Sequence, residues 1–176
     1  MFKLFPTPPD LVISGINPGC NIGIDINYSG TVAAAREAAL NGIPSIAVSI
    51  KIGKTMDFQA MSCFIANMVN KVCDHGLPFG TFLNINAPAI SLDKVQGVKI
   101  TRQASNNLST QFDRRLDPKN RSYYWYGSIN HVEGEPGTDV YALSQNYISL
   151  TPVQCDLTNY KILAELESFK SISDHK

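Results

Sequence analysis

Three glycines, Gly15, Gly19 and Gly23, separate an apolar run at residues 10–13 from an alanine-rich segment, and that succession of textures admits few folds. Asp10-Leu-Val-Ile13 is short and branched, which suits a parallel strand buried on both faces. The glycines break it into a loop. Ser29 stands where a helix N-cap belongs, ahead of Val32-Ala-Ala-Ala-Arg-Glu-Ala-Ala-Leu40, where alanine minimises the entropic cost of a helix. Asn41-Gly42 ends that helix with a residue suited to the left-handed cap, and Ile43-Pro-Ser-Ile-Ala-Val-Ser-Ile50 reads as a second buried strand. The unit is βαβ, a crossover that is nearly always right-handed, with its loop at the carboxyl end of the sheet where α/β folds bind ligands. Free N–H groups and the dipole at a helix start attract anions, so Ser29-Gly30-Thr31 has the form of a phosphate cradle. The same residues would serve equally as a simple helix cap, and spacing leaves both readings open.

A length of 176 residues suits one domain, and equal numbers of basic and acidic residues, fifteen each, leave no field to draw the chain to nucleic acid or an acidic membrane. The four cysteines, Cys20, Cys63, Cys73 and Cys155, form no CxxC pair and suggest reduced thiols in the cytoplasm. No apolar run reaches the length of a membrane span, and the opening residues are too few for a signal peptide before Pro6-Thr-Pro-Pro9. Asn27-Tyr-Ser29 and Asn107-Leu-Ser109 match the glycosylation pattern, which has no meaning without export.

Lys51-Ile-Gly53-Lys54-Thr55 ends like a P-loop, but the glycine required five positions before Gly53 is Val48, so the motif is rejected. Between residues 57 and 74, Phe58, Met61, Phe64, Ile65, Met68, Val69 and Val72 follow helical spacing and predict a helix covering the sheet, with His75 as a terminal cation. Residues 80–88 alternate as a strand that places Asn84 and Asn86 on one face, where they either satisfy loose backbone groups, the reading favoured for asparagines at strand ends, or line a site. Residues 98–103 and 121–127 predict two strands of a long hairpin, separated by the polar segment 106–120, with exposed aromatics marking an interface or a binding-site wall. His131-Val-Glu133-Gly-Glu135 is read as a solvated loop rather than a metal cluster. A strand at 147–152 ending at Pro152, a final helix through about residue 169 and a frayed tail at 171–176 complete the chain.

Several blocks resemble the SurE family of survival-protein nucleotidases: Pro9-Asp-Leu-Val-Ile-Ser-Gly-Ile-Asn17, Asn21-x-Gly23, Tyr28-Ser-Gly-Thr31, Leu83-Asn-Ile-Asn86-Ala-Pro88, Ile100-Thr-Arg-Gln103, Tyr123-Tyr-Trp125, Gly137-Thr-Asp139 and Tyr147-Ile-Ser-Leu-Thr-Pro152. They fall in family order along the chain. The resemblance implies a single SurE-like α/β domain over residues 1–176. It would have a Rossmann-type three-layer core at about 10–90, and a protruding β-hairpin and C-terminal helix at about 95–176 that build dimers or tetramers. It further implies a metal-dependent 5′-nucleotidase that hydrolyses nucleoside monophosphates. A divalent ion, Mg²⁺ or Mn²⁺, would have Asn17 as a ligand, and Asn21, Ser29, Gly30 and Thr31 would lie on the phosphate side.

The departures are specific. The family's adjacent aspartates are absent, since no Asp-Asp pair occurs in the sequence, so no catalytic residue is assigned. Pro18 stands where the family commonly has an arginine. A lone asparagine does not neutralise a divalent ion. The expectation is therefore an N-terminally truncated chain, missing the first strands and inactive alone, completed by an N-terminal portion that is supplied by a separately encoded neighbour or by a longer start site. The alternative is a non-catalytic remnant kept for assembly or phosphate binding. A dinucleotide-binding module fails, because the glycines are spaced by fours rather than as GxGxxG.

Overall fold

A computed structural model describes residues 6–105, 112–126 and 134–170. Strands β1 (Val12–Pro18), β2 (Ser45–Ile50) and β3 (Thr81–Ala87) lie side by side and parallel. Two strands from later in the chain extend this sheet, β4 (Val98–Ile100) and β7 (Ile148–Gln154). The order is β1-β2-β3-β7-β4, with β7 antiparallel to β3 and parallel to β4. Helix α1 (Gly30–Leu40) joins β1 to β2, and α2 (Phe58–His75) joins β2 to β3.

Strand alternation sends successive side chains to opposite faces, which assigns each helix its side. Ile46, Val48 and Ile50 of β2, with Leu83 and Ile85 of β3, pack against Met61, Ile65 and Val72 of α2. Ala47, Phe82 and Val153 meet Val32, Ala35 and Ala39 of α1 on the other face. Each buried branched side chain contributes about 1.5–3 kcal/mol, against tenths of a kcal/mol for helix propensity, so packing holds both helices in place. The result is the three-layer α/β/α core. Because β1, β2 and β3 step in one direction while α1 and α2 lie on opposite faces, the two crossovers have opposite hands. One of them departs from the right-handed preference.

Several expectations are corrected. The first strand does not stop at residue 13: it begins at Val12 and runs through Gly15 to Pro18, so Gly15 belongs to the strand rather than the loop. Gly15 has φ 140, and a Cβ there would lie 2.5 Å from the Val48 carbonyl oxygen, which is why the strand carries a glycine where it crosses β2. Nor is β1 buried on both faces, since it is an edge strand with Ile13 45% exposed. The segment at 98–100 pairs with β7, not with the aromatic strand. The hairpin instead joins β5 (Phe112–Leu116), inside the supposed linker, to β6 (Ser122–Tyr126). Arg115 lies over the Trp125 ring, 5.3 Å from its centroid. At the turn, the backbone N–H groups of Arg121 and Lys119 and the Arg121 side chain donate to Asp117, holding its carboxyl below the usual range.

Pro152 does not end its strand. Ile148 N–H reaches Gly97 and Leu150 accepts from Thr101, so even-numbered residues of β7 point their backbone groups toward β4. The β4 pairing ends at Leu150, so no ladder bond is lost at Pro152. The expected final helix is two 3-10 segments, Tyr160–Ile162 and Glu165–Lys170. The expectations for residues 106–111, 127–133 and 171–176 lie outside the described residues.

Candidate functional site

Strand β1 delivers Asn17 to the carboxyl end of the sheet, where it pairs in register with Ser49 of β2. The chain then crosses the ends of β2 and β3 as a loop, makes a 3-10 turn at Gly23–Asn27 and enters α1. The Asn17 side-chain amide donates to the Gly19 carbonyl at 2.8 Å, which closes the start of the loop.

Asn21 anchors its middle. Its backbone N–H donates to Asn86 Oδ1 at 2.8 Å, its carbonyl accepts from Asn84 Nδ2 at 2.8 Å and Asn86 Nδ2 at 3.1 Å, and its side-chain amide donates to Ser49 Oγ at 2.6 Å. Ser49, Asn84 and Asn86 are fully buried. The structure thus bears out the expectation that the two strand asparagines satisfy backbone groups, and it identifies the group as the loop at Asn21. Sequence reading assigned no role to Ser49 or to Asp139, although Asp139 closes one of the blocks that resemble the family. Asp139 opens the short helix α3 (Asp139–Ser144), and its carboxylate accepts from the Gly23 N–H at 2.8 Å. The alternation of small residues, Ser45, Ala47 and Ser49, with the large apolar Ile46, Val48 and Ile50 in a buried strand was the available signal for Ser49. No local pattern announces a contact spanning 116 positions.

At the end of the loop, Ser29 Oγ accepts from the Val32 N–H at 3.1 Å and caps α1. Ser29 O accepts from Ala33 N–H at 2.9 Å, which leaves the N–H groups of Gly30 and Thr31 as the open donors of the first turn. Gly30 is exposed, and nothing lies within 4 Å of where its Cβ would be. Asn17, Asn21, Ser29, Gly30 and Thr31 therefore belong to one continuous loop over the sheet end. Within it, Asn21 turns its hydrogen bonds inward as an anchor, while the helix start presents donors outward.

Asn17 offers one amide oxygen, and among the described residues no three His, Cys, Asp or Glu side chains gather. A hard cation needs several oxygens with negative charge among them, so these residues do not by themselves fit Mg²⁺ or Mn²⁺. Cys20, beside Asn21, is pushed up to about 12, chiefly by burial; Lys51 opposes this, and Asp25 and Asp139 add to it. Burial thus favours its neutral thiol form over the nucleophilic thiolate.

A family model described as "Survival protein SurE" matches residues 1–110. The 5′-nucleotidase SurE of Desulfatibacillum aliphaticivorans is 47% identical over 171 residues, covering 97% of this chain and 68% of that protein. That of Syntrophobacter fumaroxidans is 44% identical over 165 residues, covering 93% and 66%. The crystal structure of the SurE protein from Aquifex aeolicus superposes with a TM-score of 0.79 at 37% identity, covering 96% of this chain and 68% of that one. The chain thus spans about two thirds of the length of these relatives.

Proposed function

Because the chain belongs to the SurE family, we propose that it supplies the phosphate-binding part of a nucleotidase that hydrolyses nucleoside monophosphates to nucleoside and phosphate. The observation that carries this reading is the anchored loop ending in the open N–H donors of Gly30 and Thr31, at the carboxyl end of the parallel strands β1, β2 and β3. A phosphate monoester is a dianion near neutral pH, and fixed backbone dipoles suit its equatorial oxygens without reorganisation. Asn17 would add an amide oxygen toward a divalent ion, Mg²⁺ or Mn²⁺, which would supply charge neutralisation when bound. The carboxylates such an ion needs would come from a polypeptide segment outside residues 1–176, either in one longer protein or as a separate piece. Reduced thiols and the aromatic hairpin fit a cytoplasmic homo-oligomer, a dimer or tetramer.

A second reading, a non-catalytic member that keeps the assembly surfaces, is favoured by the absence of an acidic cluster among the described residues. The experiment is phosphate release from a panel of nucleoside monophosphates with Mn²⁺ or Mg²⁺, by this chain alone and mixed with the N-terminal third of a full-length relative. The expected result is release only in the mixture. Release by neither supports the non-catalytic reading. Release by the chain alone overturns the assignment of the carboxylates to another segment.

A further inference from the structure

We propose that Asp139 is the positioning residue of the anion loop, and that it ties this loop to the root of the β5–β6 arm; the first half of this rests on the phosphate reading above. Asp139 is 0% exposed, and a buried carboxylate persists only where donors compensate its lost hydration. Three backbone amides do so here. Oδ2 accepts from Gly23 at 2.8 Å, while Oδ1 accepts from Ala104 at 3.0 Å and Val140 at 2.9 Å. The start of α3 does not need this carboxylate as its cap, because Thr138 Oγ1 already accepts from Tyr141 N–H at 3.2 Å. Two of the three bonds therefore serve distant parts of the chain.

Those two parts are the anion loop and the arm root. Gly23 has φ 55 and begins the 3-10 turn that leads into Ser29 and α1. Gln103 Nε2 donates to the Gly23 carbonyl at 2.9 Å, so both backbone polar groups of Gly23 are held, one by Asp139 and one by the arm root. The approach is close: a Cβ on Gly23 would lie 3.4 Å from the Ala104 carbonyl oxygen. At the same root Arg102 makes an ion pair with Glu135 at 2.5 Å, joining the segment that follows β4 to the one that precedes α3. Asn21 pins the loop to the sheet and Gly23 pins it to Asp139. Between Gly23 and Ser29 only the 3-10 turn and Tyr28 intervene, so rotation at Gly23 carries the donors of Gly30 and Thr31 with it.

The test uses Asp139→Asn, which keeps the shape but turns one acceptor into a donor facing an N–H. The control is Val72→Ala, a cavity against α2 on the far face of the sheet. Amide hydrogen exchange at Gly23 and titration of the Gly30 and Thr31 amide resonances with inorganic phosphate are read in both variants. Asp139→Asn is expected to speed Gly23 exchange and weaken phosphate binding, each by about tenfold or more, while Val72→Ala changes neither despite its loss of stability. An unchanged phosphate midpoint in Asp139→Asn, or an equal shift in the control, overturns the proposal. Should Asp139→Asn fail to fold, Gln103→Ala reads the same loop from its half-buried margin: about threefold weaker phosphate binding supports the proposal and an unchanged midpoint overturns it. If the unaltered chain binds no phosphate, the proposed function falls, and Gly23 exchange still decides the tie. Protection lost only in Asp139→Asn upholds it, and equal loss in both variants removes it.

Discussion

At the level of single side chains, the two buried asparagines of β3 look alike in sequence but do different work. Asn86 accepts from the Asn21 N–H and also donates to the Asn21 carbonyl, whereas Asn84 only donates to that carbonyl, which Asn86 already serves. Asn84 Oδ1 is among the buried oxygens of the described residues that lack a protein partner. Asn86→Ala would leave a buried N–H unpaired, a loss of about 1–3 kcal/mol, so it is expected to lower the urea midpoint more than Asn84→Ala. Equal losses would show that the loop does not depend on the Asn21 N–H. Cys20 gives a second residue-level expectation. Burial pushes its thiol up to about 12 from an ordinary 9.0, so near neutral pH it holds far less thiolate than an exposed cysteine. Exposed Cys63 and Cys73 should react with a disulfide reagent first and Cys20 last. Because the folded value is raised, this thiol's contribution to stability is complete below pH 9 and is lost as pH rises toward 12. Cys20→Ala should flatten that alkaline decline; an unaltered pH profile would place its origin elsewhere.

At the level of elements, α1 is where cap and cradle meet, and one substitution separates them. Ser29→Asp keeps an oxygen for the Val32 N–H and adds negative charge at the helix start, so thermal stability should hold or rise. The same charge should repel phosphate and raise its dissociation constant about tenfold or more. Loss of neither stability nor phosphate binding would leave Ser29 as a cap alone. This helix was legible because its signals are local: Ser29 before it, alanines within it, and Gly42 at φ 74 after it. Of the two buried strands that follow, β2 was legible from its apolar run and β3 from its alternation of apolar and polar residues. Other elements were hidden for physical reasons. In β1 a glycine with φ 140 replaces the side chain that would have continued the pattern. In β5, Asp113, Arg114 and Arg115 read as linker because a two-stranded arm has no buried face to impose alternation, and every residue of the strand is exposed. The last segment carries a helical stripe, but Leu157, Tyr160, Leu163, Leu166 and Phe169 are all exposed, so no tertiary packing stabilises an α-helix there. In the site, Asn17, Asn21 and Ser29 are close in sequence and could be found by motif, whereas Asp139 reaches Gly23 only through the fold.

At the scale of the whole molecule, the edge of β1, unpaired among the described residues, is expected to govern how the chain behaves in solution. Among the described residues the sheet ends at β1 on one side, and a groove of about 420 Å³ between this strand and α2 is lined by Ile13, Ile16, Ile65 and Val69. Beside the end of α2 a second cavity of about 580 Å³ is lined by Val72, His75, Leu77 and Leu83. An edge that offers backbone donors and acceptors beside exposed apolar side chains pairs readily with another strand. The arm presents a competing surface, with Phe112, Tyr124 and Trp125 more than half exposed. The two surfaces can be told apart by a charge. Ile13→Lys places an ammonium on the edge and leaves the arm unchanged, the device by which natural edge strands avoid pairing. In sedimentation velocity the unaltered chain is expected to associate with rising concentration, and Ile13→Lys to weaken that association about tenfold or more. Trp125→Ser should act only on the part of the association that runs through the arm. A chain that stays monomeric at every concentration would sink the argument from the edge. Association unchanged by Ile13→Lys but lost in Trp125→Ser would move it to the aromatic arm, and leave the β1 groove covered by something other than a second copy.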